Sequence, residues 1–273
     1  MAMVNFVKIA WYGKHFGEEP PLAGERGAGT IFFTGCNLKC VYCQNYQISQ
    51  ENFGRKISVA ALADVMLELE KQGALNIDLV SPTIWANQIK PAIIKAKAKG
   101  LSLPIVWNSN AYESPAMIRE LKGLVDIYLP DFKYSNDDLA LKYSGVKNYV
   151  KKAREAIGEM FNQVGNLKLS KAGQAAGGLI VRHLILPGQI ENSLKVLEYI
   201  KEIDKNICVS LMSQYEPVYK AKDFSEINKN VGPEEFNQVF DHLLALGLTG
   251  GWVQELNSHE VFLPDFRKEK PFG

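Results

Sequence analysis

Thr30-Ile-Phe-Phe-Thr-Gly-Cys36-Asn-Leu-Lys-Cys40-Val-Tyr-Cys43 is an apolar, strand-like run that ends in three cysteines, and its reading decides how the rest of the chain is interpreted. The spacing is C-x3-C-x2-C. Three thiolates so placed can be folded round an iron–sulfur cubane by one compact loop, and because such clusters are normally held by four thiolates, one iron is left without a protein ligand. The remaining cysteine, Cys208, stands far along the chain in an apolar run and reads as a small core residue. A disulfide within the loop would leave one thiol over. A structural zinc site would need a fourth ligand, usually from a paired C-x2-C or H-x3-H element, and the four histidines, His15, His183, His242 and His259, are scattered.

Downstream the hydrophobic pattern alternates between strand and helix. After Thr30–Phe33, Ser58–Lys71 places Leu62, Val65, Met66 and Leu69 on one helical face. Ile77–Val80 reads as a short buried strand, Ala92–Lys99 as a helix, Ile105–Trp107 as a strand and Ala116–Lys122 as a helix. Val125–Leu129 is a strand and Asp137–Val164 helical material, whose stripe of Ala153, Ile157, Met160, Phe161 and Val164 is read as core packing. Leu179–Leu186, Asn192–Ile203 and Ile207–Met212 continue the alternation. Six strands separated by helices imply parallel pairing with helices outside, and ligands of such sheets bind beyond the carboxyl ends of the strands. Polar residues collect there: Ser81-Pro82-Thr83, Asn108-Ser109-Asn110, Asp131-Phe132-Lys133, Arg182-His183 and Ser213-Gln214-Tyr215-Glu216.

Around this core, residues 1–28 form a lead-in and residues 219–273 an extension over a core of residues 29–218, all within one domain. In the lead-in, Glu18 and Glu19 either reach the mouth of the sheet or solvate a loop, and the loop is favoured. Lys168–Gly178 reads as a turn or flexible loop. The tail holds a helix, Glu234–Leu246, with Phe236, Val239, Phe240 and Leu243 inward, then Trp252-Val253-Gln254-Glu255-Leu256. It offers no cysteine for a second cluster. A chain of 273 residues, 47% apolar with a net charge of +1, supports a substantial core and argues against broad attraction to nucleic acid. No apolar run reaches the roughly 18 residues a membrane span needs, and the Met1–Tyr12 segment is too interrupted for a secretory signal, so a reducing, cytoplasmic setting is expected.

The cysteine motif, with Tyr42 as the aromatic before its last cysteine, resembles the signature of the radical S-adenosylmethionine (radical SAM) enzymes. The likeness runs from about Gly29 to about Pro217 and is nearest to the homologues of pyruvate formate-lyase activating enzyme. It implies a partial (β/α)6 barrel and a [4Fe-4S] cluster on Cys36, Cys40 and Cys43. It also implies S-adenosylmethionine chelated to the open iron and cleaved by one electron to methionine and a 5′-deoxyadenosyl radical. An external donor of flavodoxin or ferredoxin type is implied as well, and the substrate is either the glycine of a glycyl-radical enzyme or a small molecule or peptide. A cluster protein limited to binding or electron transfer is the remaining alternative.

Residue by residue, the resemblance sets Tyr42 near the adenine and makes Lys133 a cofactor contact. Asn108-Ser109-Asn110 falls on a family Asp-Thr-Asn stretch and Asp131-Phe132-Lys133 on its Asp-x-Lys motif, where aspartates help to hold a monovalent cation. Asn108 removes one of those charges. Ser81-Pro82-Thr83-Ile84 replaces the family Gly-Gly-Glu-Pro, so an ammonium group is left to backbone carbonyls or to the Ser81 and Thr83 hydroxyls. Arg182 suits a carboxylate or ribose edge, and Gln214 completes the expected cofactor contacts.

Overall fold

A computed structural model of the chain describes residues 5–254 and 263–272; Glu255, Leu256 and His259 lie outside the described residues. In chain order the elements are β1 (Phe6–His15), α1 (Pro20–Ala23), β2 (Ala28–Phe33), α2 (Tyr46–Ser49), β3 (Arg55–Ser58), α3 (Val59–Lys71), β4 (Ile77–Val80), α4 (Ala86–Ala98), β5 (Ile105–Ser109) and α5 (Pro115–Arg119). They continue with β6 (Ile127–Pro130), α6 (Asp137–Ser144), α7 (Tyr149–Val164), β7 (Lys168–Leu169), β8 (Ala175–Leu184), α8 (Ile190–Ile203), β9 (Cys208–Met212), α9 (Pro233–Ala245) and β10 (Trp252–Val253).

The six strands read from the sequence are β2, β4, β5, β6, β8 and β9, and they pair in parallel in that order. The whole sheet runs β10-β9-β8-β6-β5-β4-β2-β1-β3, with β7 attached to β8, and does not close. It is the expected partial barrel. Parallel pairing brings every β-to-α loop to one rim, and the fully buried pattern of β2, β4, β5 and β6 reflects cover on both faces. α3 shows how cover is built: Ser58 caps its first turn by accepting from the Ala61 N–H at 3.1 Å, and Leu62, Ala63, Met66 and Leu69 turn inward.

Several boundaries differ from the sequence reading. The lead-in contributes β1, antiparallel to β2 and to β3, because Val7 and Ile9 alternate inward while the rest of the strand is half-buried and leaves little periodicity to detect. α4 begins upstream of the expected Ala92 and runs through Pro91; burial of Ile89, Ala92, Ile93 and Ala96 holds the helix through the missing hydrogen bond. Asp137–Val164 is two helices, since Gly145 at φ 68° ends α6 in the left-handed conformation open to glycine. Lys168–Gly178 carries β7 and the start of β8 rather than only a loop. In α9, Val239 and Leu243 are buried, while Phe236 and Phe240 are half-buried and stack on each other at 5.9 Å. Among the described residues no helix is long and apolar enough to cross a membrane.

Candidate cluster and cofactor site

The cysteine loop leaves β2 through Gly35 at φ +89°, whose N–H donates to the Ile48 carbonyl at 2.9 Å. The end of α6 then holds it, because the last carbonyls of a helix lack partners within it. The Lys39 N–H donates to the Ser144 carbonyl (3.0 Å) and the Val41 N–H to the Tyr143 carbonyl (2.8 Å), bracketing Cys40. Each sulfur also meets a polar partner. Cys36 Sγ accepts from Asn110 Nδ2 (3.3 Å) and the Leu38 N–H (3.4 Å), Cys40 Sγ lies 3.0 Å from Ser144 Oγ, and Cys43 Sγ lies 3.2 Å from Ser49 Oγ. Burial pushes the thiols of Cys36 up to about 11 and of Cys43 to about 12, and raises Cys40 as well. At neutral pH these are protonated thiols, which only a strongly cationic partner such as iron converts to thiolates.

All three cysteines line a cavity of about 220 Å³ at the rim, together with Tyr42, Ser81, Asn108, Asn110, Asp131, Lys133, Arg182 and Gln214. Its charged floor is built on Arg182. The guanidinium donates through Nε to Asp131 Oδ1 (2.7 Å), through Nη2 to Asn108 Oδ1 (2.7 Å) and through Nη1 to Glu18 Oε2 (3.3 Å), while Lys133 Nζ donates to Asp131 Oδ2 (2.8 Å). Burial alone would raise the Asp131 carboxyl; the adjacent Arg182 and Lys133 charges reverse that and hold it below its ordinary value. Glu18, Glu19 and Asp78 lack enough cations and are all raised, first by burial.

Three sequence expectations change here, those for Glu18 and Glu19, for Thr83 and for His183. Glu18 and Glu19 do not solvate a loop: Glu18 reaches the cavity and Arg182, and Glu19 is only 8% exposed, because α1 turns the chain back over the sheet. Thr83 does not line the cavity; its hydroxyl donates to Glu113 Oε1 (2.8 Å), a buried carboxylate that also accepts from Trp107 Nε1 and Ser109 Oγ. Asn110 does line it, but its amide serves Cys36 and Asn37. His183 faces away from Arg182 by strand alternation, fully buried, with its ring nitrogens 2.7 Å from the Phe132 carbonyl and 2.9 Å from Ser193 Oγ. Glu113 and Ser144 were not singled out from the sequence, and an isolated acid or serine at a loop or helix end carries no signal that would do so.

Burial holds His183 at about 4, below its ordinary 6.5. The unfolded chain therefore binds a proton that the fold refuses as pH drops below 6.5, and stability contributed by the neutral ring is lost from there down to about 4. Urea denaturation at pH 7 and pH 5 is expected to show a loss about 2 kcal/mol greater for the wild type than for His183→Gln.

The donor set fits a cluster and an amino-acid-bearing cofactor. Three cysteines of one loop line the cavity, and Gln214 Oε1, buried beside it, has no hydrogen-bond partner among the described residues. A further monovalent cation is not shown. Both Asp131 oxygens and the Asn108 carbonyl oxygen already accept from Lys133 and Arg182. Cys208, half-buried at the start of β9, is at the amino end of its strand and away from the rim.

A family model described as the Radical SAM superfamily matches residues 30–213. An uncharacterised protein of Methanocaldococcus jannaschii is 32% identical over 246 residues, covering 86% of this chain and 67% of that protein. The pyruvate formate-lyase-activating enzyme of Staphylococcus epidermidis is 23% identical over 190 residues, covering 64% of this chain and 69% of that enzyme. Among solved structures, SuiB of Streptococcus suis bound to the precursor peptide SuiA shares the fold at TM-score 0.57 and 11% identity, over 81% of this chain; the chain spans about half, 47%, of that structure. With the family match running from β2 past the end of β9, and the cysteine motif and charged strand ends inside it, the chain belongs to the radical SAM superfamily.

Proposed function

We propose that this protein cleaves S-adenosylmethionine reductively at a [4Fe-4S] cluster held by Cys36, Cys40 and Cys43, and abstracts a hydrogen atom from a substrate at the cavity mouth. The observation that carries the reading is that the cysteine loop and the charged ends of β6 and β8 line one cavity. When bound, the cluster supplies one electron and S-adenosylmethionine the carbon centre that takes the hydrogen. The chain's own residues bind and enclose. Lys133 and Arg182 supply cations for a carboxylate, the Gln214 carbonyl accepts from an amine or adenine N–H, and Phe32, Val80, Leu184 and Met212 form apolar wall that excludes water.

Likeness to the Staphylococcus epidermidis enzyme supports a glycyl-radical-enzyme activase, with a backbone glycine as substrate and a flavodoxin- or ferredoxin-like protein as donor. A specific observation favours the second reading, a small molecule or peptide end. Pro264 and Phe272 of the tail line the cavity, and Gln47 clasps that tail through Nε2 to Asp265 Oδ1 (3.0 Å) and Oε1 from the Phe266 N–H (2.7 Å), so a substrate would share the cavity with the tail. The test is anaerobic reconstitution with iron and sulfide, followed by dithionite and S-adenosylmethionine. Release of 5′-deoxyadenosine and methionine supports the proposal, and a loaded, reduced cluster that releases neither moves the protein to binding or electron transfer. A glycyl-radical signal on a co-incubated partner enzyme would favour the activase over the small substrate.

A further inference from the structure

We infer that a buried chain of hydroxyls, Tyr42 to Tyr134 to Ser144, ends on the Cys40 sulfur and raises the reduction potential of the cluster. The inference rests on the cluster binding proposed above. Tyr42 Oη lies 2.6 Å from Tyr134 Oη, Tyr134 Oη lies 2.7 Å from Ser144 Oγ, and Ser144 Oγ lies 3.0 Å from Cys40 Sγ. Ser144 and Tyr134 are wholly buried, and Tyr42 and Cys40 are nearly so.

In the thiol form either member of each contact is free to donate. Ligation to iron removes that freedom. A thiolate has no proton, so Ser144 must donate to Cys40; its single proton is then spent, so Tyr134 must donate to Ser144 and Tyr42 to Tyr134. All three O–H dipoles then point towards the sulfur, and each polarises the next in a low-dielectric surrounding. Hydrogen bonds to cluster sulfurs stabilise the reduced state, which carries one more negative charge, and so move the potential upward.

Cys40 differs in this from its neighbours. The donors to Cys36 are an amide and a backbone N–H, and Cys43 meets the single hydroxyl of Ser49, which accepts from the Gln50 amide rather than from a further hydroxyl. Two members of the chain are also held in place. Ser144 closes α6, whose terminal carbonyls grip the loop on either side of Cys40. Tyr134 packs edge-on against Tyr149 at 5.3 Å, and the Tyr149 hydroxyl accepts from the Lys133 N–H at 2.9 Å. Lys133 and Tyr134, adjacent in sequence, thus serve the cavity and the cluster loop respectively. Ser144 and Tyr134 are positioning residues, acting through Cys40.

The experiment is an EPR-monitored redox titration of anaerobically reconstituted wild type, Ser144→Ala, Ser144→Thr and Tyr134→Phe, each with its iron content measured. Ser144→Ala is expected to lower the equilibrium constant for reduction about tenfold, a midpoint about 59 mV more negative for a one-electron couple. Tyr134→Phe is expected to shift it in the same direction by less, and Ser144→Thr, which keeps a donor, to stay near wild type. An unchanged midpoint in iron-loaded Ser144→Ala overturns the inference. Should that variant fail to take up iron, Tyr134→Phe decides alone, an unchanged or more positive midpoint overturning it. A cluster that titrates as expected but supports no cleavage of S-adenosylmethionine overturns the proposed function and leaves the hydroxyl chain standing. Intact cleavage with unmoved midpoints does the reverse.

Discussion

Alanine at Cys40 is expected to abolish iron loading and cleavage of S-adenosylmethionine together, while alanine at Cys208 leaves both in place. Cys40 is central to the loop: α6 carbonyls receive the amides on either side of it, and it lines the cavity together with Cys36 and Cys43. Removing one of three thiolates leaves two irons of a cubane without protein ligands, too few to hold it. Cys208 begins β9, and β9 runs parallel to β8 in a sheet whose carboxyl ends form the rim. At about 3.3 Å per residue its sulfur starts on the order of 13 Å below that rim. Iron and sulfide analysis with chromatographic detection of 5′-deoxyadenosine separates the two variants, and circular dichroism checks that each folds. Turnover by a fully loaded Cys40→Ala protein contradicts the ligand assignment.

The second large effect is expected at Arg182. Arg182→Met removes the cation that touches Asp131, Asn108 and Glu18 at once and faces Glu19. Breaking a buried ion pair on one side costs about 3–5 kcal/mol, here because Glu18 and Glu19 stay behind without their cation while Asp131 keeps Lys133. The loss is expected to shrink as pH falls, because Glu18 and Glu19, already raised by burial, then protonate and need no partner. Arg182→Lys restores only part of it, a point charge being unable to serve three oxygens in a fork. Urea denaturation across pH measures the stability, and calorimetric titration with S-adenosylmethionine measures binding, which is expected to weaken in parallel. Equal stability of Arg182→Met and wild type at neutral pH would show that the three contacts do not hold the floor.

Much of the architecture was legible because it is written in local pattern. The cores of β2, β4, β5, β6, β8 and β9 are short apolar runs bounded by turn residues, and each appears where that pattern places it. β1 was not, since only two of its ten residues are buried and a half-buried strand has weak periodicity. The inward helix faces were readable in the same way, apart from the proline inside α4, whose penalty is outweighed by burial that no local window contains.

The sequence by itself determined the cysteine motif and the parallel sheet, because three cysteines within one loop and a strand–helix alternation are relations between near neighbours along the chain. Only the tertiary structure decided what surrounds that chemistry. Ser144 reaches Cys40 across 104 residues, Arg182 reaches Glu18 across 164, and Glu113 draws Thr83 away from the cavity across 30. In each case an ordinary polar residue gains its role from burial. Taken out of water, a hydroxyl, carboxylate or guanidinium must find its partner among groups the fold brings close, and that choice depends on distance in space rather than along the chain.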